Sequence, residues 1–222
     1  MKTICIASRK GGAGKSTLSA HLSVLAQEGG ARVRLIDTDS QGSLMSWWRK
    51  REAGTPQMIE CRASDLAKVI AGARRDGVDC CIIDMPPHAD ASILDAMRVA
   101  DLVLVPTQPL QFDLEAIAAT LAIAKQAGKR PFVVLNRTQP SNGFGVSTTL
   151  RDARQIVEAM GAEVAQVTIT QRIALSNALI LGQTVGEFDS SGKAAKEIAA
   201  LWREIQPHIQ ELENNGKIKR SA

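Results

Sequence analysis

Short apolar runs alternate along the chain with longer stretches in which apolar residues recur every three or four positions. The runs are 3–8 (TICIAS), 32–37 (RVRLID), 78–84 (VDCCIID), 101–106 (DLVLVP) and 132–136 (FVVLN). Runs such as VDCCIID are apolar at successive positions, which predicts strands covered on both faces. A short edge strand is expected at 57–61 and another strand at 163–168. Between them, 15–28 carries Leu18, Leu22, Leu25 and Ala26 on one helical stripe, and Gly29-Gly30 ends it. The same periodicity predicts helices at 41–53, 64–75, 89–99, 112–127, 147–160, 171–181 and 191–213. Strands alternating with helices of this length imply βαβ crossovers. The expected fold is α/β: a single doubly wound, mostly parallel β-sheet with helices on both faces. One domain is expected over 1–213, with a flexible tail at 214–222. The Pro-, Ser-, Asn- and Gly-rich stretch from Thr138 to Gly145 reads as a surface excursion, not a boundary.

Composition narrows this. The chain has 222 residues, 45% hydrophobic and 23% charged, which suits one large domain and excludes wholesale disorder. Aromatics are 3% and Tyr is absent, so the core must be aliphatic. Cys5, Cys61, Cys80 and Cys81 lack C-x-x-C spacing, and the adjacent pair must face opposite sides of its strand. Buried reduced thiols in a cytoplasmic protein are the expectation. No apolar stretch reaches the roughly 18 residues of a membrane span. The net charge of +4 permits an acidic partner without requiring one.

Candidate chemistry begins after the first run. Lys10-Gly11-Gly12-Ala13-Gly14-Lys15-Ser16-Thr17 joins the first strand to the first helix. Glycines let backbone N–H groups wrap phosphate oxygens, and the helix N-terminus adds partial positive charge. Lys15 suits the β- and γ-phosphates of a nucleotide, and the Ser16 hydroxyl suits Mg²⁺. Arg9 stands where the strict phosphate-loop pattern has glycine. Asp37 and Asp39 end the second strand on one side, where parallel sheets bind ligands. Two carboxylates there suit Mg²⁺ and an attacking water; capping of the following helix is the other role open to them. Asp84 ends an apolar strand in the Walker B manner and suits Mg²⁺ held through water. Pro86-Pro87 follows it as a switch segment or a plain turn. His21, His88 and His208 form no metal or triad pattern. Trp47-Trp48 reads as packing, and Met45, Met58, Met85, Met97 and Met160 as core gap-fillers.

With Lys10 at its start, the loop resembles the KGGxGK[ST] signature of the ParA/MinD-type deviant Walker A P-loop ATPases. The C-terminal stretch ITQRIALSNALILGQTVGEFDSSGKAAKEI is similar to the small, ParF-like ParA partition ATPases. The resemblance implies that ATP and Mg²⁺ are bound and that Lys10 reaches the ATP of a second subunit. It further implies that Asp39 activates water, with Asp37 near the metal, and that Asn136 reads the adenine edge. It implies a homodimer in the ATP state, non-specific DNA as a partner, and slow hydrolysis stimulated by a ParB-like or adaptor protein. Localisation would be cytoplasmic and nucleoid-associated, without membrane. The DNA contacts it suggests are Arg151, Arg154, Arg172, Lys193, Lys196 and Arg203. Two alternatives stand beside this reading: a MinD-like membrane-associated positioning ATPase, and a metabolic P-loop ligase resembling dethiobiotin synthetase.

Overall fold

The computed structural model describes residues 1–140 and 147–218, with side chains as far as residue 209. Five strands supply the buried middle of the sheet: β1 (Lys2–Ile6), β2 (Val33–Asp37), β4 (Cys80–Asp84), β5 (Leu102–Thr107) and β6 (Pro131–Thr138). The edge strand β3 (Gln57–Glu60) pairs with β2, while the two-residue strands β7 (Glu163–Val164) and β8 (Ile169–Thr170) pair with β6. The order is β3-β2-β4-β1-β5-β6-β7, with β8 also on β6, and every pairing is parallel. The chain leaves the central strand β1 for one side of the sheet and later crosses to the other. That reversal opens a crevice at the strands' carboxyl ends.

Strand alternation builds two cores. Ile4, Ile6, Leu35, Ile82 and Leu104 face one layer. It is covered by α1 (Lys15–Glu28), α2 (Ser43–Trp48), α7 (Ile173–Ile180), α8 (Val185–Phe188) and α9 (Lys193–Ile218). Cys5, Ile36, Cys81, Ile83 and Val103 face the other. Its cover is α3 (Leu66–Arg75), α4 (Asp90–Val99), α5 (Gln111–Gln126) and α6 (Thr148–Ala159). Cys80 and Cys81 fall in opposite cores, as their adjacency requires. All four cysteines are free thiols, and only Cys61 is less than fully buried. Leu22 of α1 is wholly buried, so Leu22→Ala would cost about 2–5 kcal/mol.

The elements differ from expectation in four places. α2 starts only at Ser43, because Gly42 adopts a left-handed φ of 65°. It ends at Trp48, and beyond it the Arg51 guanidinium is drawn to the Thr55 carbonyl (2.7 Å) and to Glu187 (2.8 Å). The strand expected at 163–168 is split, since the N–H groups of Gln166 and Val167 go to the Glu204 carboxylate (2.5 and 3.0 Å) instead of a ladder. A short helix, α8, was not foreseen. Its Thr184–Glu187 capping box was readable as T-x-x-E. α9 continues to Ile218, past 213. Residues 219–222 of the expected tail, and 141–145 of the expected surface loop, lie outside the described residues. Met160 is 41% exposed and fills no gap, while Met85 and Met97 are fully buried.

Candidate nucleotide site

The loop after β1 turns at the carboxyl edge of the sheet and feeds α1. Gly12 and Gly14 hold φ of 75° and 96°, which only glycine adopts at no steric cost. A Cβ on Gly14 would overlap the Asn136 amide nitrogen. No side chain caps the start of α1, so its first N–H groups face the cleft, where an anion would complete them. The cleft has a volume of about 970 Å³ and is lined by Gly11, Gly12, Gly14, Lys15, Ser16 and Thr17 on the loop side. Asp39, Pro87 and Asn136 line it as well.

The two lysines of the loop are disposed differently. Lys15 is buried at 6% exposure and donates to the Lys10 carbonyl at 3.4 Å. Burial lowers its pKa, opposed by the charges of Asp84 and Asp39. Lys10 lies outside the cleft lining, and its ammonium contacts the Asp113 carboxylate at 2.5 Å. Asp113, from the first turn of α5, was not singled out from the sequence. A separation of 103 positions conceals the pair.

The carboxylates sit at the ends of adjacent strands, with Asp37 and Asp84 in register. Asp84 is fully buried, and burial pushes its pKa up to about 7 against the pull of the Ser16 and Ser19 hydroxyls. Ser19 donates to Oδ1 at 3.1 Å, while Oδ2 has no partner. Asp37 accepts from the N–H groups of Asp39 (2.9 Å) and Met45 (3.2 Å), which shapes the turn into α2. Burial raises its pKa. Asp39 is half-buried and accepts from the Gln41 N–H at 3.0 Å. Among the described residues, no three His, Cys, Asp or Glu side chains form a metal cage. Mg²⁺ nevertheless fits here. It keeps waters and takes phosphate oxygens, so one hydroxyl and one orphaned carboxylate oxygen suffice from the protein.

Asn136 is buried and uses both ends of its amide. Nδ2 donates to the Ala13 carbonyl (2.7 Å), and Oδ1 accepts from the Arg137 N–H (2.9 Å). One hydrogen and one lone pair remain for a further partner. Arg137 has φ of 53° and donates from Nη1 to the Gly12 carbonyl at 3.1 Å. In the sequence it is one more basic residue in a basic stretch, and only the adjacent Asn136 hints at its contact with the loop. On the other side, Arg9 pairs with Asp90 at 2.7 Å, and its carbonyl accepts from the His88 N–H at 3.2 Å. The segment after Asp84 is thereby tied to the start of the loop. Trp47 and Trp48 give their indole N–H groups to Gln183 (3.1 Å) and Pro56 (2.8 Å), so both are spent on packing.

The basic residues divide into two groups. Arg154 donates to the carbonyls of Val164 and Ala165 (3.0 and 2.6 Å), and Arg172 pairs with Glu197 at 2.7 Å. Both are tied into the fold. Arg151, Lys193, Lys196 and Arg203 are exposed. No helix among the described residues is long and apolar enough to cross a membrane.

The chain is similar to several known proteins. Residues 4–185 match the CobQ/CobB/MinD/ParA nucleotide binding domain. The chain is 30% identical to "Maintenance of carboxysome distribution protein A" of Halothiobacillus neapolitanus, over 92% of this chain and 96% of that protein. It is 27% identical to the chromosome-partitioning ATPase Soj of Thermus thermophilus, over 95% and 98%. Among solved structures, the Pyrococcus furiosus cell division ATPase MinD superposes with a TM-score of 0.75 at 21% identity, covering 93% and 98%. An apo McdA structure from Cyanothece gives 0.74 at 19%, covering 92% and 99%. The chain therefore belongs to the CobQ/CobB/MinD/ParA nucleotide-binding family, as a P-loop ATPase of the ParA/MinD type.

Proposed function

We propose that this chain is a ParA-like positioning ATPase. Mg-ATP brings two copies together, the pair binds DNA without sequence preference, and a cargo-bound partner stimulates hydrolysis and releases it. The cargo is a plasmid, a chromosome region or a protein assembly. The observation that carries this reading is the disposition of the two loop lysines. Lys15 is buried in the lining of the cleft, whereas Lys10 stands outside that cleft with 37% of its side chain exposed. A second cation that its own subunit's triphosphate does not need is available to another subunit's.

Within a subunit, the loop N–H groups and Lys15 hold the phosphates, and the Asn136 amide meets the base edge. Ser16 and Asp84 would hold Mg²⁺, with Asp37 behind them, and the metal would supply charge neutralisation at the phosphates. Asp39 lines the cleft and orients the attacking water. The arginines near the cleft are engaged, Arg9 by Asp90, Arg137 by the Gly12 carbonyl and Arg172 by Glu197, so unassisted turnover is slow.

The test is mass in solution with Mg-ATP, Mg-ADP and no nucleotide, for the parent and Lys10→Ala. The parent should double its mass only with ATP. Lys10→Ala should bind ATP normally and stay monomeric. A variant that dimerises like the parent overturns the cross-subunit role of Lys10. Co-sedimentation with anionic lipid vesicles but not with DNA would favour a membrane-associated ATPase instead.

A further inference from the structure

We propose that Asp113 is the positioning residue for Lys10: it holds the lysine within its own subunit, and the second subunit's triphosphate must compete for the same ammonium. This deepens the dimer reading above and rests on it.

Three observations carry it. The Lys10–Asp113 contact is short, 2.5 Å, and joins a 37%-exposed lysine to a carboxylate only 4% exposed. The exposed end of the pair is the lysine, so it is the partner that can leave. A lysine is suited to leaving, because a compact charge on a flexible four-carbon stem can swing between acceptors. Next, Asp113 is the third residue of α5, where the positive end of the helix stabilises a carboxylate. The helix end leaves Asp113 some compensation when Lys10 departs, but its buried Oδ1 has no hydrogen-bond partner among the described residues, so the carboxylate resists that departure. Finally, the surface beside the pair is open: Phe112 is 76% exposed and Leu110 is 55% exposed. An incoming chain would meet the lysine without displacing any described element.

The consequence is a threshold. A single carboxylate competes poorly with a complete triphosphate but better with a diphosphate, so the cis pair helps restrict dimerisation to ATP. The apparent affinity of the two subunits is reduced by the fraction of chains whose Lys10 is free. Removing the carboxylate should raise that fraction without touching the nucleotide cleft, whose lining excludes Asp113.

The experiment follows dimer mass across a titration with a non-hydrolysable ATP analogue and Mg²⁺, for the parent, Asp113→Asn and Lys10→Ala/Asp113→Asn. Analogue affinity is measured separately on dilute monomer. Asp113→Asn should dimerise at roughly fivefold lower analogue concentration, the effect of releasing a partly buried ion pair, with monomer affinity unchanged. The double variant should stay monomeric. A carboxylate that merely supported the fold would, when lost, weaken dimerisation, so an unchanged or raised requirement overturns the proposal. If the parent itself stays monomeric with the analogue, the dimer reading falls as well; if only Asp113→Asn fails to shift, that reading stands and this one does not. A second measurement avoids the variants. Amine acylation of the nucleotide-free parent, followed by mass spectrometry, should label Lys10 several-fold more slowly than the exposed Lys68 and Lys196. Equal labelling would equally overturn the cis pair.

Discussion

The Lys15 ammonium donates to the Lys10 carbonyl oxygen at 3.4 Å, so the cation of the phosphate loop rests on the loop's own first residue. It is 6% exposed and its pKa is lowered by burial, which means that it waits desolvated where an anion would be placed. Lys15→Ala removes that charge and leaves the phosphates facing Asp84 and Asp39 without compensation. Truncating one member of a buried, hydrogen-bonded charge pair costs about 2–5 kcal/mol. ATP affinity, measured by titration calorimetry, should therefore fall at least about thirtyfold, since ~1.4 kcal/mol is a factor of ten. Unchanged affinity would mean that the phosphates sit elsewhere.

Asp39 should separate binding from turnover. It lines the cleft, is half-buried, and its carboxylate accepts from the Gln41 N–H (3.0 Å). Asp37 and Asp84 are buried among backbone and serine donors, so Asp39 is the carboxylate with room for water. Asp39→Ala should lower phosphate release by about 10²–10⁴-fold, the range for loss of a positioned base. ATP binding and ATP-dependent dimerisation should persist. Parental turnover in the variant would assign the water to another group.

The sequence shows the sheet and the loop but not the contacts that cross between them. Strand positions follow from apolar runs such as 80–83 (CCII), because a strand buried on both faces is mostly apolar along its length. Lys10, Lys15, Ser16 and Asp84 announce themselves because the glycine-rich loop and the apolar strand ending in an acid are local patterns. Asp113 and Arg137 do not. Each meets the loop from more than a hundred positions away, and neither spacing nor periodicity encodes that approach. The split of 163–168 was hidden for the same reason, since Glu204 takes the Val167 N–H from 37 positions away. Arg154 looked like a surface base, yet its guanidinium closes the end of β7 through the carbonyls of Val164 and Ala165.

His21 predicts an acid limb in stability that is independent of the cleft carboxylates. Its ring is 1% exposed beneath α8 and accepts from the Val185 N–H at 3.3 Å. Burial lowers its pKa from 6.5 to about 4, despite the opposing pull of the Leu175 backbone and the Glu187 charge. The folded chain therefore binds a proton less readily than the unfolded chain. The contribution is intact above pH 6.5 and is lost as pH falls from 6.5 towards 4, by about 3 kcal/mol in full. His21→Asn places an amide oxygen near the Val185 N–H and removes the titration. Urea midpoints measured between pH 7 and pH 4.5 should drop more steeply for the parent than for the variant. Parallel curves would show that the imidazole does not set this limb.

The last prediction concerns the outer face of α9. Lys193, Lys196 and Arg203 are exposed and recur at helical spacing on one stripe. The two described acids of the same helix are turned to other work. Glu197 holds the Thr170 N–H (3.0 Å) and Arg172 (2.7 Å), and Glu204 holds the Gln166 and Val167 N–H groups. Because Glu197 is paired with Arg172 and Glu204 is turned to backbone donors, the stripe itself presents positive charge despite the mixed composition of the helix. About four phosphate contacts per subunit are too few to hold DNA at cellular salt, and a dimer doubles them on one surface. With about eight contacts, the log–log salt slope of DNA affinity should be near −7, at about −0.9 per neutralised phosphate. Replacing Lys193, Lys196 and Arg203 together by Ala removes up to six of those contacts in the dimer, so the slope should flatten by about 5. Affinity should hardly vary with sequence, because phosphate contacts position without specifying. The three positions lie outside the cleft lining, so ATP binding and ATP-dependent mass should not change. The measurement is binding of two unrelated duplexes across a salt series with ATP, ADP and no nucleotide. A slope that the triple variant leaves unaltered would remove this face from the DNA interface. Equal binding in all three nucleotide states would remove the switch.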